Sequence, residues 1–205
     1  SVYLEYACQS ADRAQCPNFP MRGTVIPGYK WNHYMASTIN GVPFSPAHEF
    51  YNLAADPFEM NNLMKKISAE DIPQVRMLSD SVYGSIFRKM RKERAVWQTD
   101  TKDPARRIIS DFKITALRPD AAELFWTTDA STTAEIEYKE SSCITCQPLE
   151  LNDISFVKDH RVTISGLKPN PSHLTRIFSI GMNGHGAYYE MTFTTPQVPS
   201  PPPPP

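Results

Sequence analysis

The chain has 205 residues, a hydrophobic share of 40% and a formal net charge of −1. That length suits one large domain or two small ones, and a charge so near zero excludes nucleic acid or an anionic membrane as the expected partner. No apolar run approaches the roughly 20 residues that cross a bilayer, so no membrane span is expected.

The chain starts at Ser1 without a methionine, a basic n-region or a signal-like apolar block, and it reads as a mature or excised piece of something longer. "SVYLEYA" alternates as a strand, with Val2, Leu4 and Tyr6 on one face and Tyr3 and Glu5 on the other. "GTVIPGYKWNHYMAS" reads as two short strands around the Pro27-Gly28 turn, and "HEFYNLA" as the next strand, ended by Asp56-Pro57. Asp56 and Glu59 then stand three apart on a tight turn beside Asn61 and Asn62. Paired carboxylates do general acid and base work. On such a turn they are expected instead to accept backbone N–H groups, while Pro57 fixes φ and Asn61 or Asn62 caps the next helix or turn.

Ser68 with Asp71 is expected to cap a turn. From Gln74 to Arg94 the period becomes helical, with Val75, Leu78, Val82, Ile86 and Met90 on one stripe and Arg76, Lys89, Arg91 and Lys92 mostly elsewhere. Such a helix must bury its stripe, and a short antiparallel sheet from the earlier strands is the expected partner. Its basic end, "RKMRKER", is expected to be solvated, where cations favour the macrodipole; a polyanion patch is the alternative.

A boundary is expected near "QTDTKDPARR", residues 98 to 107. Beyond it everything reads as strand: "RIISDFKITAL", "AELFWTT" with Leu124 and Trp126 on one face, "AEIEYKE" with Ile136 and Tyr138, "HRVTISGL" with Val162, Ile164 and Leu167 inward, "HLTRIFSIGMN" and "AYYEMTFTT". Short strands at this spacing over roughly a hundred residues are the pattern of an antiparallel β-sandwich.

The four cysteines form two close pairs, Cys8 with Cys16 and Cys143 with Cys146, which suits two disulfides in an oxidising compartment. "CITC" is alternatively a pair of free thiols, a redox motif or half a zinc site, with only His160 and His173 following nearby and neither at finger spacing. Asn170-Pro171-Ser172 fails as an N-glycosylation acceptor because proline holds the middle position. The tail, Thr194 to Pro205, is expected to be an extended polyproline II rod or linker that continued further. Ser200 with Pro201, Pro202, Pro203, Pro204 and Pro205 resembles the Ser-Pro repeats of plant and green-algal wall glycoproteins, which implies hydroxyproline and O-glycosylation there.

"ELFWTTD", "VTISGLKPNPSHLTRIFSIGMNGHG" and "TFTTP" resemble a fibronectin type III domain of the kind appended to secreted hydrolases. The match spans about Arg107 to Pro196. In that family a tyrosine after Leu-x-Pro ties a corner; His173 sits near that place here. A rigid spacer or binding surface is implied, not chemistry. Such a sandwich also precedes the catalytic domain of purple acid phosphatases, a reading that leaves the first half unexplained.

"EFYNLAADPFEMNNL" resembles the C-terminal signature of type I, formylglycine-dependent sulfatases, roughly E-L-Y-D-L-x-x-D-P-x-E-x-x-N-L. Glu49, Tyr51, Leu53, Asp56, Pro57, Glu59, Asn62 and Leu63 match, while Phe50 and Asn52 depart. The strand before it and "PMRGTVIPGYKWNHY" fit the family's order. In the family the nucleophile lies in a C/S-x-P-x-R motif of a larger N-terminal domain, beside a calcium ion. None of Cys8, Cys16, Cys143 or Cys146 stands in that motif, so no catalytic residue, metal ligand or cofactor is expected in this segment. Calcium and formylglycine belong to the missing domain.

The resemblance therefore implies residues 1–98 as a sulfatase C-terminal-like α+β subdomain, a small antiparallel sheet with a C-terminal helix. A linker over 99–106 comes next, then a fibronectin type III-like β-sandwich over 107–196 and the proline tail over 197–205. Arg22, Lys30 and His33 are the candidates for contact with an anionic sugar; the alternative makes Arg22 and Lys30 exposed strand charges and His33 a loop residue. The implied partners are the missing sulfatase domain and a sulfated polysaccharide or matrix glycans, with no nucleic acid, and the implied place is extracellular. The alternative is a structural matrix or filament glycoprotein that retains a sulfatase-like module.

Overall fold

The structure, a computed structural model, describes residues 2–6, 21–34, 37–39, 42–44, 47–65 and 72–198. Cys8, Cys16, Ser68, Asp71, Ser200 and Pro201 to Pro205 lie outside the described residues. The chain divides into two compact units, Ser1–Trp97 and Gln98–Pro205.

The first unit has strands β1 (Val2–Tyr6), β2 (Met21–Ile26), β3 (Tyr29–Tyr34), β4 (Ser37–Ile39), β5 (Val42–Phe44) and β6 (Ala47–Asn52). β1, β2, β3 and β6 form an antiparallel sheet in that order, and β4 pairs with β5 separately. Strand alternation does not predict that small hairpin. Its signal is the Asn-Gly dipeptide at 40–41, outside the described residues, which favours two-residue hairpin turns. Between β2 and β3, Pro27 pre-sets φ and Gly28 supplies φ 80°, the combination a type II turn requires. Leu53 N–H donates to the Gly28 carbonyl at 2.8 Å, tying this turn to the end of β6.

The single helix expected from Gln74 to Arg94 is two helices, α1 (Pro73–Ser79) and α2 (Gly84–Asp100). The Asp80 side chain accepts from Val82 N at 2.8 Å and Tyr83 N at 2.7 Å, so it holds a turn where a helix would otherwise run on. Gly84 suits the close approach there, since a Cβ would stand 3.0 Å from the Leu78 carbonyl oxygen and force it to give. Val82 therefore leaves the buried stripe and is 66% exposed. Met77 and Leu78 of α1 and Phe87 and Met90 of α2 instead pack with Ile26, Trp31 and Phe50 of the sheet. Phe87 meets the rings of Trp31 and Phe50 edge-on at 5.2 and 5.8 Å, geometries that aromatic pairs prefer.

The basic run expected to be solvated is mid-helix, since α2 continues to Asp100, and only part of it meets solvent: Lys89 is exposed. Arg91, Lys92 and Arg94 are buried. Arg91 lies over the Phe87 ring at 5.8 Å and Arg94 over Trp31 at 4.9 Å, so their stems run along apolar surface while their charges meet ring faces.

The second unit holds β7 (Ile109–Leu117), β8 (Ala121–Glu140), β9 (Leu149–Ser165), β10 (Ser172–Gly181) and β11 (Gly186–Thr194), all antiparallel. The two strands expected at "AELFWTT" and "AEIEYKE" are one continuous β8. Its first part pairs β7 on one side, through Thr128, and Asp159 to Ser165 of β9 on the other, through Thr127. From Thr132 onward it pairs Val157 back to Leu149 of β9 and, across from that, β10, which pairs β11. Register shifts between Thr127 and Ala134 separate the two ladders. Their inward residues, among them Leu124, Trp126, Ile136, Ile164, Ile177 and Phe193, meet in one buried cluster. Two ladders closing on one core make this unit an antiparallel β-sandwich.

Two polar devices finish the sandwich. Trp126 donates its indole N–H to Ser179 Oγ at 2.9 Å and stacks on His160 with centroids 4.9 Å apart. At one end, Thr195 Oγ1 donates to the Lys168 carbonyl at 2.6 Å, while the His173 ring nitrogen stands 3.5 Å from the same oxygen and packs on Phe193. With His173 near the place of the corner tyrosine, the bond to the backbone there is made by the Thr195 hydroxyl.

Residues 98 to 107, expected as a loose polar stretch, contain a buried network within the second unit. Gln98 donates to Asp103 Oδ2 at 3.0 Å, stands 3.1 Å from His185 Nδ1 and accepts Gly186 N–H at 2.9 Å. Thr99 Oγ1 accepts the Tyr188 N–H at 3.0 Å.

Candidate functional site

The joint after β6 is built from side chains that close on backbone. Asp56 accepts the Met60 N–H at 3.0 Å and the Asn61 N–H at 2.7 Å, capping the turn that Pro57 starts. Asn62 Oδ1 accepts from Phe50 N at 3.1 Å and from Met64 N at 2.9 Å, and its amide donates to the His48 carbonyl at 3.3 Å. One side chain therefore stitches β6 to the segment that leaves it. Asn52 Oδ1 likewise accepts from Ala54 and Ala55.

Glu59 does something different from Asp56. It adopts φ 57°, a left-handed conformation that costs a non-glycine residue about 1 kcal/mol. Its carboxylate binds Lys30 Nζ at 2.7 and 2.9 Å. Neighbouring register places Tyr51 opposite Lys30 and Glu49 opposite Asn32. Asn32 donates to Glu49 Oε2 at 3.2 Å. Burial, then the charge of Glu49 and a hydrogen bond to it, push the Tyr51 phenol up to about 12, so it stays protonated and donates. The result is a polar cluster of Lys30, Asn32, Glu49 and Tyr51 on one face of β3 and β6, joined by Glu59 from the turn.

The three candidates for an anionic sugar do not come together. Arg22 and His33 stand opposite each other in the β2–β3 ladder, in the parity of Thr24 and Trp31. Lys30 has the other parity, opposite Val25, and its charge is met by Glu59. Of the two acids on the turn, Asp56 accepts backbone N–H groups and Glu59 forms an ion pair. Asn32 was not singled out from sequence, and no local signal marks it: its role depends on a register partner 17 residues away.

The sandwich carries a concave feature. A cleft of about 370 Å³ lies where β8 ends and β10 begins, lined in part by Tyr138, Leu149, Leu167 and His173 and by the bridge between Cys143 and Cys146, whose Cα atoms are 5.4 Å apart. Lys139 Nζ donates to the Ile144 carbonyl at 3.3 Å, holding the bridged loop. Lys168 forms an ion pair with Glu140, and its hydrogen bond holds that carboxyl below the ordinary range. Among the described residues, no group of three His, Cys, Asp or Glu side chains is placed to hold a metal ion, and no helix is long and apolar enough to cross a membrane.

No family model matches the chain, and no curated protein matches it. Among solved structures, it is similar to a myokine structure at 11% identity, covering 43% of this chain and 96% of that one with a TM-score of 0.39. A computer-redesigned β-sandwich protein matches at 18% identity over 45% of this chain and 92% of the other, TM-score 0.37. The fn3 domain of the human collagen alpha-1(XX) chain matches at 16% identity over 45% and 88%, TM-score 0.38.

Proposed function

We propose that this chain is the C-terminal portion of a secreted, sulfatase-like protein of the sulfuric ester hydrolase family. By itself it is non-catalytic. Its first unit is the support subdomain, and the sandwich is a fibronectin type III-like spacer or binding module. The observation that carries the reading is the joint from Glu49 to Leu63. Several residues that the sulfatase signature specifies have an internal task in it: Asp56 on two N–H groups, Asn62 on three partners, Glu49 on Asn32, Glu59 on Lys30. Such demands explain why the joint takes those residue types, and they are structural rather than catalytic.

The calcium ion and formylglycine that the resemblance implies belong to the missing N-terminal domain, and no step is derived through either. The disulfide between Cys143 and Cys146 supports an extracellular setting, where such bonds persist. The proline-rich run from Pro199 favours a second reading, a structural matrix glycoprotein that keeps a sulfatase-like module.

Intact-mass and peptide-mapping spectra of the native full-length protein, unreduced and including whatever precedes Ser1, separate the two. A formylglycine peptide upstream supports the sulfatase reading. An upstream sequence lacking C/S-x-P-x-R, together with pentose- or hexose-bearing hydroxyproline near Pro201, overturns it in favour of the structural one.

A further inference from the structure

The cleft at the end of the sandwich has the volume of a small binding site, toward the lower end of a range of about 300–1,000 Å³. Its apolar lining comes from Tyr138, Leu149, Leu167 and the disulfide, and its donors from Lys139, Gln147 and Lys168. Gly166, at φ 73°, also lines it, and a Cβ there would meet nothing within 4 Å, so the cleft is open at that point. Large apolar side chains flank it without cover: Leu149 is 61% exposed and Ile144, in the bridged loop, 86%. Lys139 and Lys168 each spend a donor on Ile144 and Glu140, and an ammonium has three. The cleft thus offers apolar surface and hydrogen-bond donors together.

The chain itself carries a sequence of the opposite kind. Thr195 bonds the carbonyl of the cleft residue Lys168, and Gln197 Nε2 donates to Asn170 Oδ1 at 3.5 Å, so the chain leaves the sandwich beside the cleft. From Pro199 it reads Pro-Ser and then five prolines. Prolines have no N–H to donate, present carbonyl acceptors and apolar rings, and lose little entropy when bound; grooves that take them supply apolar slots and donors. Proline runs are stiff over several residues, which favours presenting this sequence to another copy over a tight reversal within its own.

We propose that the cleft receives the segment Pro199 to Pro205 of a second copy of this chain, joining copies through a heterologous contact. This does not rest on the sulfatase reading, since a spacer module and a matrix glycoprotein would both carry it.

The test uses the full chain and a full-length variant with Pro201→Ser, Pro202→Ser, Pro203→Ser, Pro204→Ser and Pro205→Ser. Sedimentation velocity over about a hundred-fold range of concentration should show self-association of the first and not of the second. A synthetic Val-Pro-Ser-Pro-Pro-Pro-Pro-Pro peptide titrated into the serine variant should shift the NMR signals of Leu149, Gln147 and Tyr138. Leu149→Glu and Gln147→Ala, both at exposed positions and checked for an unchanged fold by circular dichroism, should each weaken the peptide about five-fold or more. Self-association that survives the serine variant overturns the proposal. So does a peptide that leaves the cleft signals unmoved, or a tail that engages the cleft at every concentration without self-association.

Discussion

Replacing Asn62 by alanine removes the one side chain that bonds three backbone groups at the end of β6. Phe50 N–H and Met64 N–H lose their acceptor and the His48 carbonyl loses a donor. Each such bond contributes about 1 kcal/mol net, more where the orphaned group stays dry, and Phe50 is fully buried. Asn62→Ala should therefore lower the stability of the first unit by about 3 kcal/mol. Asn62→Asp keeps both acceptor bonds, loses the donor and sets a carboxylate against the His48 carbonyl, so it should cost less, about 1–2 kcal/mol. Urea unfolding gives the totals, and hydrogen exchange at the Phe50 and Met64 amides assigns the loss to the joint. A change below about 0.5 kcal/mol in Asn62→Ala with unaltered exchange at both amides would falsify the view that this residue holds the joint together.

The second unit supplies three further expected outcomes. Burial holds the His160 imidazole below its ordinary value of 6.5, with the charges of Asp153 and Asp159 acting the other way. Because the unfolded chain binds that proton more readily, the His160 contribution is intact above about 6.5 and falls away as the pH drops through the folded value; melting of His160→Gln should accordingly depend less on pH between neutrality and mild acid. Gln98→Ala removes the partners of Asp103, His185 and Gly186 N–H from a fully buried position and should cost about 3 kcal/mol by denaturant unfolding; a loss under about 1 kcal/mol would mean that water replaces the amide. Thr195→Val keeps the shape but deletes the hydroxyl on the Lys168 and Pro171 carbonyls, costing about 1 kcal/mol and speeding exchange at the Thr195 amide, whereas Thr195→Ser should stay near the parent.

Much of the local structure was legible because its causes are local. Pro27-Gly28 names its turn, the alternation of Leu124, Trp126, Ile136 and Tyr138 names an inward face, and Asp56-Pro57 marks a turn after β6 held by bonds that reach only four and five residues ahead. The break between the helices is equally local, but the apparent stripe through Val82 masks it; the Asp80 turn and the close approach at Gly84 are the better signals. The half of β9 from Leu149 to Val157 escapes a reading of periods because most of its residues are exposed and show no alternation.

By itself the sequence determined strands, then helix, then an antiparallel sandwich, and the residue types of the joint, since each depends on a period or on partners a few residues apart. Only the tertiary structure decided that Arg94 lies buried over Trp31, that Glu59 meets Lys30 while Arg22 and His33 take the other parity, and that Thr195 ties the end of the sandwich. Those partners stand 63, 29 and 27 residues apart along the chain. Register and packing bring them together, and a polar side chain carries no mark of which distant group it will meet.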